Sequence, residues 1–225
     1  MRPMRPISVA VFAAVLVPLV SLAVATAWRA GRELGALGEF RGVAVCAAAI
    51  VLSYVYAMVA HRICLSIAPL GEGRIAEGSV KELRYQVYIL FYLFLFNALI
   101  RGQAIPIPFM RLVYLALGAR LGANTYVAGT IFDPLFVTIG ANSMVGEAVL
   151  LVPHVIEGSE LAHYRILIGR NVTIGARAIV LAGVTIGDDV IVAANSVVTK
   201  GTRIPAGETW GGTPARRLRC FAEQQ

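Results

Sequence analysis

The stretch IGRNVTIGARAIVLAGVTIGDDVIVAANSVVTKGTRI, residues 168–204, carries an aliphatic side chain at every sixth position: Ile168, Ile174, Val180, Ile186, Val192, Val198 and Ile204. A helix repeats its apolar face at 3.6 residues and a strand at two, so a strict period of six belongs to neither alone. Short strands separated by tight turns satisfy it. Three hexads then close one triangular coil of about 18 residues, the fixed-period signature of a solenoid. On each flat side the side chains alternate in and out. The aliphatic residue points inward, above its counterpart one coil earlier. Corners turn sharply and favour glycine and small residues, here Gly169, Gly175 and Gly187. A β-meander or closed barrel does not hold this period through seven repeats.

Working upstream, the period continues through Leu121, Val127, Ile139, Val145 and Leu151, with Gly122, Gly140 and Gly146 following three of them. It departs from regularity twice. Asp133 stands where an aliphatic residue is expected. The 11 residues Glu157 to Leu167 interrupt the run before Ile168. Insertions in solenoids loop out on one face, often the binding face. The expectation is a mainly β domain over 121–225, a parallel β-helix of hexapeptide repeats.

The other half of the chain has a different character. Mean hydropathy is +0.74, and charged residues make up 15% against roughly 25% in soluble domains. Ile7 to Ala27 is 21 residues without a charge, flanked by Arg2, Arg5 and Arg29; Gly42 to Ala60 is a second such run of 19. As helices they reach about 31 and 28 Å, enough to cross a hydrocarbon core. They read as a transmembrane hairpin over 1–62, joined by the loop Trp28–Arg41. A cleaved signal peptide is the alternative for the first run, with Ala23-Val24-Ala25 as the cleavage-like site. Residues 63–120 read as an interfacial, amphipathic helical region. In it, Tyr85 to Ile100 places Tyr85, Tyr88, Phe91, Tyr92, Phe94 and Phe96 at head-group depth. Pro106 and Pro108 break the chain before a short helix over Phe109–Leu117. The number of crossings stays open at two or three.

Residues 1–120 hold 12 Lys/Arg and 5 Asp/Glu, whereas 121–225 hold 8 of each. The basic excess therefore flanks the apolar segments, as anionic head groups favour, and leaves no patch for nucleic acid on the repeat half. Six basic residues flank the hairpin outside against three in its loop. With two crossings this puts both chain ends, and the β-helix, on the cytoplasmic side of a bacterial-type inner membrane; a full crossing by Tyr85–Ile100 moves the β-helix to the other side. Three unpaired cysteines, Cys46, Cys64 and Cys220, make neither a disulfide framework nor a zinc cluster.

The repeats and the ending Trp210-Gly-Gly-Thr-Pro-Ala215 resemble the hexapeptide-repeat acyltransferases, among them the xenobiotic, serine, maltose and colanic-acid acetyltransferases and polysaccharide O-acetyltransferases. The segment Asp133-Pro-Leu-Phe-Val-Thr-Ile-Gly140 with His154-x-x-Glu157 is similar to the membrane-bound C-terminal region of single-module nonribosomal peptide synthetases. This resemblance covers residues 115–219. It implies a left-handed coil, a homotrimer, acyl-CoA (acetyl-CoA) in the groove between neighbouring prisms, and a histidine as general base.

His154, just before the insertion, is the residue that fits that base. A neutral imidazole suits removal of a hydroxyl or amine proton near pH 7. Asp133 and Glu157 are candidates to orient it. His163 and Tyr164, inside the insertion, are candidates for the acceptor, with a solvated loop the bland reading for His163. Ala182, Gly183 and Asn195 offer backbone to a pantetheine arm. Lys200, Arg216 and Arg217 offer charge to its phosphates. Trp210 is expected over the open end of the prism. No metal is expected, since γ-class carbonic anhydrases need three histidine ligands on this prism and the repeat half has two. Two further readings stay open: amide-bond formation from a carrier-bound aminoacyl donor, and a non-enzymatic trimeric scaffold.

Overall fold

Aliphatic residues spaced one coil apart bury most area by stacking, and in the computed structural model they do. It describes residues 2–33, 35–102 and 105–218. The chain forms two compact units, one of residues 1–2, 71–76 and 97–225, the other of residues 3–70 and 77–96.

The first unit is a parallel β-helix with three flat faces. One face stacks the strands Arg120–Leu121, Val137–Ile139, Ile166–Ile168, Thr185–Ile186 and Arg203–Ile204. A second stacks Tyr126–Val127, Met144–Val145, Thr173–Ile174, Ile191–Val192 and Thr209–Gly211. The third stacks Thr130–Ile131, Leu150–Val152, Ile179–Leu181 and Val197–Val198. Register follows the period: Ile168 pairs with Ile186, Ile174 with Val192, and Val180 with Val198. All seven aliphatic positions of 168–204 are buried, as are Val172, Ala178, Val184, Val190 and Ser196 behind them.

The corners show why short polar residues recur there. Asn124, Asn142, Asn171 and Asp189 all have positive φ, 54–59°, a conformation that Asn and Asp tolerate best after glycine. Their side chains pair up the corner: Asn124 Nδ2 donates to Asn142 Oδ1 at 3.1 Å and Asn171 Nδ2 to Asp189 Oδ1 at 2.9 Å. At Gly140 a Cβ would lie 2.6 Å from the Gly169 backbone, so the coil spacing itself demands glycine there.

The two irregular places resolve differently. The period puts Asp133 in the aliphatic column, but Ile131 fills that column two residues early, in register with Leu151. A 3-10 turn, Pro134–Phe136, restores the lost residues before Ile139. The insertion is not an open loop. It begins at His154 and forms an antiparallel hairpin, His154–Glu157 with Glu160–His163, around Gly158 and Ser159. Gly73–Arg74 adds a third strand on its outer edge.

Helix Ile107–Ala116 seals the start of the prism. Pro106 and Pro108 begin it, as expected where no backbone donor is needed. Tyr114 Oη donates to Gly129 O at 2.9 Å and accepts from Ile131 N at 3.2 Å. At the other end Trp210 continues the aliphatic column, paired with Val192, its Nε1 donating to Glu208 at 2.7 Å. Arg216–Arg217 folds back antiparallel on it.

The second unit is helical: α1 (Pro6–Arg32), α2 (Arg41–Ile67) and α3 (Val80–Phe91), the last continuing as a wider π turn Tyr92–Phe96. Ser79 caps α3 by accepting from Glu82 N, and Glu82 accepts from Gly78 N at 2.7 Å. Three helical runs, Pro6–Arg32, Gly35–Ile67 and Val80–Arg101, are long and apolar enough to cross a membrane. The third exceeds the 16 residues read from the sequence, because the helix starts before Lys81 and Arg84. Its aromatics also differ from expectation. Tyr85, Tyr88, Phe91, Tyr92 and Phe96 are buried and only Phe94 is exposed. They fill a core between helices, with Phe12 edge-on to Phe91 at 4.9 Å. Cys46 and Cys64 are free thiols; Cys220 lies outside the described residues.

Candidate active site

Where the third face turns toward the first, Asp133 adopts a left-handed conformation, φ 44°, uncommon for a non-glycine residue. The side chain does not cap the turn that follows. It is 1% exposed and its Oδ2 lies 2.6 Å from His154 Nδ1. A carboxylate accepts only, so Nδ1 carries the hydrogen and Nε2 is left as the basic nitrogen. The His154 side chain is 21% exposed, which leaves the ring open to an acceptor. Phe132 meets it edge-on at 5.9 Å, and the Arg101 guanidinium lies 5.7 Å from the Phe132 ring centre.

His163 stands opposite His154 across the hairpin. It is buried at 1% exposure, stacked on Phe136 at 4.6 Å, with Nε2 3.9 Å from Asp133 Oδ2. The alternative of a solvated loop histidine does not hold, because the insertion folds against the prism instead of standing away from it; at 1% exposure the His163 ring is enclosed, and Tyr164 is the more accessible of the two acceptor candidates. Burial pushes the His163 imidazole below its ordinary 6.5, more than the Asp133 carboxylate raises it, and His154 adds to the lowering. Burial thus favours the neutral ring of His163. Tyr164 follows at the surface. Its carbonyl accepts from Gly183 N at 3.3 Å.

Glu157 does not reach His154. Three residues along a strand is about 10 Å, and an odd spacing puts the two side chains on opposite faces. Glu157 instead forms an ion pair with Lys200. Of the residues expected for a coenzyme, Ala182, Gly183 and Lys200 share the corner between the third and first faces with the hairpin. Gly183 is at φ 77°. Asn195 sits on the corner between the second and third faces. Arg216 and Arg217 lie on the strand closing the second face, where Arg217 meets Glu208 at 3.3 Å. The structure does not gather these last three with the others. Sequence reasoning missed Phe132, Phe136 and Arg101, which carry no periodic signal; Phe132 and Phe136 were findable only as neighbours of Asp133. Among the described residues no group of three or more His, Cys, Asp or Glu is placed to hold a metal ion.

Residues 165–200 match the family model of the bacterial transferase hexapeptide (six repeats). Over 118 residues the chain is 36% identical to galactoside O-acetyltransferase of Escherichia coli, covering 48% of this chain and 57% of that protein. It is 31% identical over 103 residues to a mitochondrial γ carbonic anhydrase 2 of Arabidopsis thaliana, 46% of this chain and 32% of the relative. It is 30% identical over 103 residues to delta-poly-L-ornithine synthetase of Acinetobacter baumannii, 45% of this chain and 8% of the relative. The chain thus spans about half the length, or less, of these relatives.

Proposed function

We propose that this chain, whose repeats are those of the bacterial transferase hexapeptide, is a membrane-anchored acyltransferase. It moves an acyl group, acetyl first among candidates, from coenzyme A to a hydroxyl or amine of an acceptor near the membrane. The observation that carries this reading is the 2.6 Å contact between Asp133 and His154 Nδ1. It prepares Nε2 to take the acceptor proton as the acceptor atom attacks the thioester carbonyl. Collapse of the tetrahedral intermediate breaks the C–S bond, and the imidazolium returns its proton to the departing thiolate. Asp133 steadies that imidazolium without being protonated itself. No covalent acyl-enzyme is needed, since the thioester is already activated. The likeness to galactoside O-acetyltransferase supports the acetyl donor and a hydroxyl acceptor. The resemblance of the repeats to the hexapeptide-repeat acyltransferases supports a left-handed trimer with the donor between prisms.

The three long apolar helices and the basic residues around them support the anchor. Coenzyme A is a cytoplasmic donor; two crossings, by α1 and α2, keep both chain ends and the β-helix on that side, whereas a full third crossing by Val80–Arg101 would carry the β-helix to the other. The likeness to delta-poly-L-ornithine synthetase supports a second reading, in which the donor is a carrier-bound aminoacyl thioester. Calorimetric titration of the detergent-solubilised chain with acetyl-CoA separates the two. Saturable binding near one per subunit, with acetyl-CoA-dependent thiol release on adding acceptor glycans, supports the first. A folded oligomer that binds no acetyl-CoA overturns it and leaves the carrier-bound donor.

A further inference from the structure

The helical unit contains a cavity of about 270 Å³ that the transfer chemistry does not use. Its walls come from Val11 of α1, from His61, Cys64, Leu65 and Ile67 at the end of α2 with Ala68 and Leu70 beyond it, and from one face of α3 between Leu83 and Phe91. Nearly all of these side chains are apolar. The volume falls below the range of roughly 300–1,000 Å³ of sites that enclose a whole small ligand, and it suits a section of a hydrocarbon chain. The inner wall includes His61, buried at 3% exposure among the rings of Tyr88, Phe91 and Phe96, 5.2–6.5 Å between centres. An ionisable side chain inside a membrane-type bundle marks a site more often than a packing element.

The rim supplies the rest of the chemistry. Arg84 lines the cavity and is exposed; among the described residues it has no carboxylate partner. Lys81 stands one turn before it on α3, also exposed. Charged residues on the neighbouring segments are Arg5, which donates to Gly78 O, Arg62 next to His61, and Lys81, against Glu77 and Glu82. The Glu82 carboxylate is buried and already accepts from Gly78 N. The N-terminus of α3, with its positive dipole end, lies beside Lys81. An apolar slot with the exposed Arg84 in its lining, and Lys81 one turn away, is complementary to an amphiphile with a negative head.

We propose that this cavity is a binding site for an anionic membrane lipid, with one acyl chain between α1, α2 and α3 and the lipid phosphate at Arg84. This inference rests on the membrane reading of the helices. The lipid is held by shape and charge, with no covalent step.

The test uses the full chain in nanodiscs with tryptophan reporters, each read against the parent chain. Leu83→Trp places the reporter in the cavity wall, and Ile50→Trp places one on the outward face of α2, where Ile50 is 61% exposed. The probes are brominated phosphatidylglycerol and brominated phosphatidylcholine. At Leu83→Trp, quenching should reach half its maximum at about fivefold less phosphatidylglycerol than phosphatidylcholine, and adding Arg84→Gln should remove that preference, the order expected for one basic residue near an anionic surface. At Ile50→Trp the two lipids should quench alike. Equal quenching of both reporters by both lipids, unchanged by Arg84→Gln, overturns the lipid site and leaves the membrane anchor standing. Quenching at neither reporter overturns the membrane reading and the lipid site with it.

Discussion

Asp133 and His154 lie 21 residues apart and meet at 2.6 Å. The corner at Asp133 belongs to one coil and the root of the hairpin to the next, so the pair is made by stacking, not by local chain geometry. The buried carboxylate faces both hairpin histidines, His154 at 2.6 Å and His163 at 3.9 Å. It fixes the His154 tautomer, and Asp133→Asn removes that control while keeping the shape. An amide that donates to Nδ1 favours the tautomer with its hydrogen on Nε2, the wrong one for a base. We expect kcat to fall by about 10²–10⁴-fold with little change in KM for acetyl-CoA. A mutant that keeps wild-type kcat removes Asp133 from the mechanism.

His154→Ala should abolish transfer to a similar extent. It is not expected to be neutral for stability, although the ring is partly exposed. Removing it leaves the Asp133 carboxylate enclosed without its donor, at a cost of about 1–3 kcal/mol. The double variant His154→Ala/Asp133→Asn should recover part of that loss. Thermal midpoints of the four members of this cycle decide it, and strict additivity would mean the pair is not coupled.

His163 gives the protein a pH dependence of stability. Its folded pKa is lowered by burial from 6.5, while the unfolded chain protonates near 6.5. Between those two values the unfolded state binds more protons, so stability drops as pH falls below 6.5 and levels off above it. His163→Phe keeps an aromatic ring against Phe136 and should flatten this slope between pH 5 and 7.5. A slope equal to that of the wild type assigns the titration to another group.

Tyr114→Phe tests the seal at the start of the prism. It deletes both hydrogen bonds of the hydroxyl and should cost about 1–3 kcal/mol. Burial pushes the phenol up to about 12, so the loss should be the same at pH 6 and pH 9. A difference between those two readings would mean that Tyr114 ionises in the folded state.

Lys200→Ala breaks only an exposed ion pair with Glu157, and its effect on stability should stay within about 1 kcal/mol. A severalfold rise in KM for acetyl-CoA would then report a phosphate contact by Lys200. An unchanged KM restricts Lys200 to holding the hairpin.

The period of six made the solenoid legible from residues alone, because every buried column must repeat with the coil. Its columns, its corners and the position of the insertion all follow from that one constraint. Asp133 was legible as an irregularity but not as to cause. A shortened hexad followed by a lengthened one leaves the total unchanged, so the slip to Ile131 cannot be read from spacing. Glu157 was a reasonable partner for His154 until the segment proved to be a strand, where an odd spacing divides the two faces. The aromatics of Tyr85–Phe96 carry the same composition whether they face head groups or other helices, and only packing distinguishes the two.

The hairpin enters after Val152 and rejoins at Ile166, and the coils on either side keep their register across it: Leu151 with Val180, Ile166 with Val137. Loop closure between fixed ends changes slowly with length. The turn of the hairpin can therefore be lengthened or exchanged at little expense to the solenoid. His154 and His163 stand at the two roots of the hairpin; Val155 and Ala162 beside them pack with Ala182, and the turn at Gly158 and Ser159 is the part that can vary. Such a chain can change what it recognises without having to rediscover how to fold or how to abstract a proton, and selection can act on the tip of the hairpin while the base pair of residues beneath it is inherited intact.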